Sequence, residues 1–180
     1  MSAVAELSLY AQLLGPAFTR LHPAVQRFHQ LQGQHRLHGQ VRTTAPASRL
    51  ARLLAWGLGS PQTDRDGPIR FELQAGPDCE VWTRHFPDRC MSSTLRLDGA
   101  GLTEQLGLAR LHFHLAEVDG ALVMHLQRLH WAGLPCPRRA LPDVRAVETG
   151  DGNRLHFDVM ARLPVIGRVA AYRGYLELPT

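Results

Sequence analysis

The chain has 180 residues, 44% hydrophobic and 20% charged, the balance of a soluble globular protein with enough apolar material for one core. Its formal charge of +4 rests on twenty basic residues, all of them arginine and scattered from Arg20 to Arg173 with no run longer than Arg138-Arg139, which argues against a nucleic-acid-binding face. Three cysteines, Cys79, Cys90 and Cys136, odd in number and without a CxxC spacing, argue against a disulfide framework or a zinc ribbon and fit a reducing compartment.

The segment Met1 to Tyr10 carries Glu6 and no basic residue ahead of its apolar positions, so it does not read as a secretory signal. No apolar run approaches the roughly twenty residues of a spanning helix. A cytoplasmic protein, with peripheral membrane contact at most, is the expectation. Leu7, Tyr10, Leu13 and Leu14 follow a helical spacing that Gly15-Pro16 breaks. Pro23 then opens a second helix, where its missing N–H is tolerated, and Val25, Phe28 and Leu31 share one side of it before Gly33. His35 to Thr43 alternates through Leu37, Gly39 and Val41 as a first strand. Ser48 caps a third helix with Leu50, Leu53, Leu54 and Leu58 on one face and Arg49 and Arg52 on its flanks; Gly57, Gly59 and Pro61 end it. That face is expected to pack on a sheet, the alternative being a membrane surface with the arginines at the head groups. Trp56 and Trp131 read as core or rim aromatics.

From Pro68 the apolar period becomes two and stays so, giving about nine strands in the segments around Ile69, Trp82, Leu95, Leu102, Leu111, Leu126, Val144, Phe157 and Tyr172. Turns at Pro87-Asp88, Asp98-Gly99, Asp119-Gly120 and Gly150-Asp151-Gly152 are short, which leaves no room for helical crossovers and makes the sheet an antiparallel meander. The predicted fold is therefore α+β in a single domain spanning 1–180. Residues 1–60 are mainly helical with one strand, and 68–178 form a strongly curved antiparallel sheet, a half-barrel or barrel, with the helices over its open side or mouth.

Around Asp119-Gly120 the hairpin register pairs His114 with His125, Phe113 with Leu126 and Leu115 with Met124, so one face is apolar and the other carries His112, His114 and His125. Three histidines so placed could seat a divalent ion, but a polar sheet face in a chain with ten histidines acquires such a set without one, and no metal or other cofactor is assigned. A second constellation has more weight. Arg84 shares a strand face with Trp82 and Phe86, and a guanidinium inside the sheet needs a carboxylate or a bound anion. Glu148, Asp158 and Arg173 lie on later strands that could converge with it as the polar floor of an apolar pocket, the alternative being an internal salt-bridge network or arginine stems that cross the sheet with their heads in water. No GxSxG elbow, glycine-rich phosphate loop or HExxH pair is present.

In its order of short motifs the chain resembles an uncharacterised bacterial family, domain of unknown function 4166. The likeness runs from Leu9-Tyr10-Ala11-Gln12-Leu13-Leu14-Gly15 with Phe18, Leu21, Pro23 and Val25, through Trp82-Thr83-Arg84-His85-Phe86 and Gly133-Leu134-Pro135-Cys136-Pro137, to Phe157-Asp158-Val159, Leu163-Pro164 and Tyr172-Arg173-Gly174-Tyr175. The resemblance implies an accessory or substrate-side module, since some members look like a companion to an NAD(P)-binding dehydrogenase-like domain; this chain has no Rossmann fingerprint of its own. It also departs from the family pattern in its three hairpin histidines and in Pro87-Asp88, where a glycine-rich turn is common. The expected function is a non-catalytic binding module for a small apolar or amphipathic molecule with an acidic head group facing Arg84 or Arg173, with Trp82, Glu148, Asp158 and Tyr172 completing the site. An Arg/carboxylate pocket acting with a dehydrogenase-like partner is the enzymatic alternative.

Overall fold

The computed structural model describes residues 7–99 and 101–179; residues 1–6, on which the reading of the N-terminus rests, lie outside the described residues. Two short helices open the chain, α1 (Leu9–Leu14) and α2 (Pro23–His29), joined by a 3-10 turn at Gly15–Arg20. Then come β1 (Gly33–Thr43), α3 (Arg49–Gly57), β2 (Arg65–Ala75), β3 (Cys79–His85), β4 (Cys90–Asp98), β5 (Gly101–Leu106) and β6 (Ala109–Val118). The remainder is β7 (Ala121–Trp131), the two-residue β8 (Leu134–Pro135), a 3-10 turn at Arg138–Ala140, β9 (Asp143–Asp151), β10 (Arg154–Leu163) and β11 (Gly167–Glu177).

All pairings are antiparallel, and the sheet closes. β1 through β7 pair in sequence, β7 pairs with β9, and β9, β10 and β11 return to β1, so ten strands form a barrel to which β8 is appended on β7. The barrel is the dominant feature of a mostly β fold, and the helical share is smaller than the α+β expectation implied. Closure rather than a half-barrel follows from the seam between the first and last strands. There a Cβ on Gly39 would overlap the Tyr175 carbonyl oxygen, and one on Gly174 would overlap that of Gln40, so only glycine lets β1 and β11 approach. β2 starts earlier than the first Pro68 signal. β3 pairs with it only from Arg70 onward, and the proline occupies the stretch where that side of β2 is unpaired.

The Asp119-Gly120 hairpin has the register read from the sequence, with Phe113 opposite Leu126, His114 opposite His125 and Leu115 opposite Met124. A bulge beyond His112 shifts the register so that His112 faces Arg128.

Because every strand connection alternates between ends, the barrel has two distinct ends. One is stoppered by α1 and α2. Pro23 stands at the first turn of α2 and the His22 ring accepts the Ala24 N–H at 3.1 Å; Leu9, Tyr10, Ala24, Val25 and Phe28 are buried in the barrel core. At the other end lies α3, capped by Ser48 Oγ, which accepts the Ala51 N–H at 3.1 Å. The leucine face expected to pack on the sheet does so only in part, with Leu54 and Leu58 half-buried and lining the cavity. Ala51 and Ala55 are fully buried against Val169, with Leu54, Leu163 and Ile166 around them, whereas Leu50, Leu53 and Trp56 are exposed at 52%, 63% and 61%. Alanines let the helix backbone sit close on β11, and helical geometry then turns the residues on the opposite side outward.

A polar floor in an apolar barrel

Strict alternation along the strands sends one set of side chains inward, and that set encloses a cavity of about 590 Å³. Its wall is aliphatic and aromatic, with Ile69, Met91, Leu102, Phe113, Met124 and Phe157 among the lining residues. The cavity runs from Phe28 of α2 at the stoppered end to Trp131 and Leu134 at the rim, which are solvent-exposed at 39% and 72%.

Charged side chains break this wall at a few positions. Arg84 on β3 lines the cavity and is 7% exposed; its Nη1 donates to Ser93 Oγ at 3.0 Å and its Nη2 to Glu104 Oε1 at 3.3 Å. The guanidinium carbon stands 5.0 Å from the centre of the Trp82 ring, so the cation has a carboxylate on one side and a π face on another. Burial alone would make Arg84 easier to deprotonate, but the Glu104 carboxylate that it hydrogen-bonds works against that, and the cation is held more firmly than usual. Burial pushes the Tyr172 hydroxyl up, so it remains protonated and able to donate.

Nearer the stopper, Glu148 on β9 lines the cavity and meets His29 Nε2 of α2 at 2.6 Å, both groups being buried. The His29 ring lies tilted against Tyr10 at 3.6 Å between centroids, and burial with Glu80 and Glu148 nearby pushes the Tyr10 hydroxyl well up. Glu80 accepts the Trp82 indole N–H at 2.8 Å, and its own burial raises its pKa above the usual carboxylate value.

Of the six residues nominated from the sequence, the structure brings Trp82, Arg84, Glu148 and Tyr172 to this one cavity. Asp158 and Arg173, expected in the site, do not reach the cavity. They face each other across β10 and β11 on the outer wall, both exposed, because their neighbours Phe157, Val159 and Tyr172 take the inward parity. Arg173 in turn lies beside Arg42, which pairs with Asp66 at 2.6 Å, so these charges belong to a solvated cross-strand ladder. Arg84 is thus left as the interior cation. Its partner Glu104 is absent from the six, although Leu102, Glu104 and Leu106 share one parity and a lone carboxylate on an apolar face is a readable signal. The same parity flags Glu80 beside Trp82 and Arg84. His29 offers no comparable pattern.

The histidines of the hairpin lie outside the barrel. His112 sits with Asp98 at 3.3 Å and against His130, with ring centroids 5.2 Å apart, while His114 and His125 face each other on exposed wall. Burial and the nearby Arg128 lower the pKa of His112. Among the described residues no three His, Cys, Asp or Glu side chains are grouped to hold a metal ion.

No helix among the described residues is long and apolar enough to cross a membrane. Among curated proteins, none matches the chain. The crystal structure of Rv2717c from M. tuberculosis is similar at 14% identity, covering 89% of this chain and 99% of that one, with a TM-score of 0.46. The family described as domain of unknown function (DUF4166) matches residues 21–176, and the chain belongs to it.

Proposed function

We propose that this DUF4166 protein is a non-catalytic binding module that takes one small apolar or amphipathic molecule into its barrel. The observation that carries the reading is the cavity itself: about 590 Å³, walled by aliphatic and aromatic side chains, with Arg84, Glu104 and Glu148 as its few charged groups. That volume lies within the roughly 300–1,000 Å³ range of small-molecule sites, and an apolar wall with a few convergent polar groups is their usual composition. The apolar body of the ligand lies along the wall toward the rim and its polar end reaches Arg84.

The charge balance refines the head group. Glu104 already neutralises Arg84 at 3.3 Å, so an ionised acid would have to displace Glu104 and leave that carboxylate buried without its partner. A hydroxyl, a carbonyl or a protonated acid needs no such exchange, because Arg84 has five N–H donors and the two carboxylates accept. The proposed ligand class is therefore amphipathic with an uncharged polar end, and an acidic head group enters in its protonated form.

Native mass spectrometry of freshly purified protein, followed by thermal shift with a long-chain alcohol and the matching fatty acid, tests the reading. The expected results are a retained small molecule or a stabilisation by the alcohol at least equal to that by the acid at neutral pH. Ala146→Trp, which fills the cavity from β9, should abolish both effects. A clean unliganded mass with no shift from either lipid overturns the proposal.

A further inference from the structure

The stoppered end and the open end differ in what they show to solvent. Of the ten large apolar side chains that are exposed among the described residues, seven stand at the open end. They are Leu50, Leu53 and Trp56 on α3, Leu108 between β5 and β6, Trp131 and Leu134 around β8, and Val165 between β10 and β11. The other three are dispersed: Leu7 and Val118 toward the stopper, Met160 on the outer wall. Scattered exposed apolar residues need no explanation, but a ring of them around one opening does. Val165 sharpens the point. It is fully exposed and holds φ at 65°, a conformation that a β-branched residue adopts at a cost and that glycine would take freely.

The charges of the same end are one-sided. The connections there carry Arg49, Arg52, Arg89, Arg138 and Arg139 against two carboxylates, Asp64 and Asp88. Both carboxylates are occupied by the protein's own backbone, Asp64 by the Ala45 N–H at 3.1 Å and Asp88 by the Gln62 N–H at 3.0 Å. Arg89 is also engaged, donating to the Trp56 carbonyl at 2.8 Å with its guanidinium 5.8 Å from that indole ring. Arg49, Arg52, Arg138 and Arg139 remain exposed beside the apolar ring. The stoppered end lacks this excess: in its described connections Arg20 and Arg27 stand against Asp78 and Asp119.

Exposed apolar side chains with free arginines beside them match a bilayer surface rich in anionic lipid, with leucine and tryptophan at the acyl boundary and guanidinium groups at the phosphates. We propose that the open end of the barrel is a docking face for an anionic phospholipid membrane. α3 lies in the interface with Leu50, Leu53 and Trp56 down, and the β10–β11 and β7–β9 connections flank it. The mouth of the cavity then opens onto the lipid. This goes beyond the cavity reading and stands on the outer face alone: a protein that docks but retains no lipid fails the one and keeps the other.

Flotation of the full chain with phosphatidylcholine vesicles, and with phosphatidylcholine mixed with phosphatidylglycerol, tests it. The expected result is binding to the anionic vesicles only, weakened by salt, with a blue shift of tryptophan emission, since Trp56 and Trp131 stand at the rim while Trp82 is already buried. Leu53→Glu should reduce the bound fraction at least tenfold, Arg49→Glu with Arg52→Glu should do the same, and Met160→Glu on the wall should leave it unchanged. Each variant is checked for an unaltered circular dichroism spectrum, and Leu53 and Arg52 are exposed enough for the fold to tolerate the change. Lack of binding to anionic vesicles, equal loss with Met160→Glu, or a dimer in sedimentation that Leu53→Glu dissolves without any vesicle binding overturns it.

Discussion

The interior ion pair can be tested by removing it one partner at a time. Arg84 and Glu104 have side-chain exposures of 9% and 16% and meet at 3.3 Å, so neither is well hydrated and each is the other's counter-ion. Arg84→Met keeps the stem that covers Trp82 but strands Glu104, a change that costs about 3–5 kcal/mol in buried pairs. Because Glu104 borders the cavity and keeps 16% of its side chain exposed, the lower end applies, ~3 kcal/mol. For a domain of this size that is a fall of roughly 6–12 °C in Tm. Glu104→Gln strands the cation instead, and Arg84 cannot discharge by losing a proton, so the loss should be at least as large. The double variant Arg84→Met with Glu104→Leu removes both desolvation penalties and should return to within ~1 kcal/mol of the starting protein, or exceed it. Urea unfolding followed by circular dichroism gives the double-mutant cycle. Additive losses, with the double variant as unstable as the sum of the singles, would refute the pairing argument.

Two further outcomes follow from the buried floor and from the seam. Burial raises the pKa of Glu80 above its ordinary value of 4.5, so in the folded state it holds its proton to higher pH than in the unfolded chain. Its contribution is therefore complete at acid pH and is lost as pH rises through the raised value; Glu80→Gln, which still accepts the Trp82 N–H, should gain on the native protein in urea midpoint between about pH 4 and pH 8, and a widening deficit would reject the assignment. At the seam, Gly174→Ala drives a methyl into the Gln40 carbonyl and should cost on the order of 3–4 kcal/mol by urea unfolding or prevent folding. Gly152→Ala, at φ 54° with open space around it, should cost only about 1 kcal/mol, and equal losses at the two sites would show that steric closure is not what Gly174 provides.

The fold is legible where one physical rule acts alone. Period-two alternation with short turns can only produce an antiparallel meander, and the hairpin at Asp119-Gly120 follows its sequence-derived register residue by residue until the bulge beyond His112. Closure is not legible, because it depends on two glycines at opposite ends of the chain meeting at one seam, and nothing in either segment names the other. α3 misleads for a related reason. Hydrophobicity picks the four leucines as the buried face, but close packing on β11 selects the small residues Ala51 and Ala55, so that Leu54 and Leu58 stay half-buried beside them while Leu50 and Leu53 become the surface.

The site shows where alternation must be applied without exception. Counting inward from Phe157 and Tyr172 puts Asp158 and Arg173 outside on parity alone, and counting from Leu102 puts Glu104 inside. Charge on an apolar strand is the weaker criterion; charge at inward parity is the stronger one, since an outward charge meets water and an inward one must find a partner. Arg84 and Glu104 meet that criterion from different strands, β3 and β5, separated by β4, whose inward Ser93 accepts the other arm of the guanidinium. Three neighbouring strands thus each contribute one polar residue of matching parity at one height, and the next strand outward on that side, β6, returns to Leu111 and Phe113. With Glu148 the other charged residue of the cavity wall, the proposed binding of an amphipathic molecule draws on this confined cluster to set which end points inward.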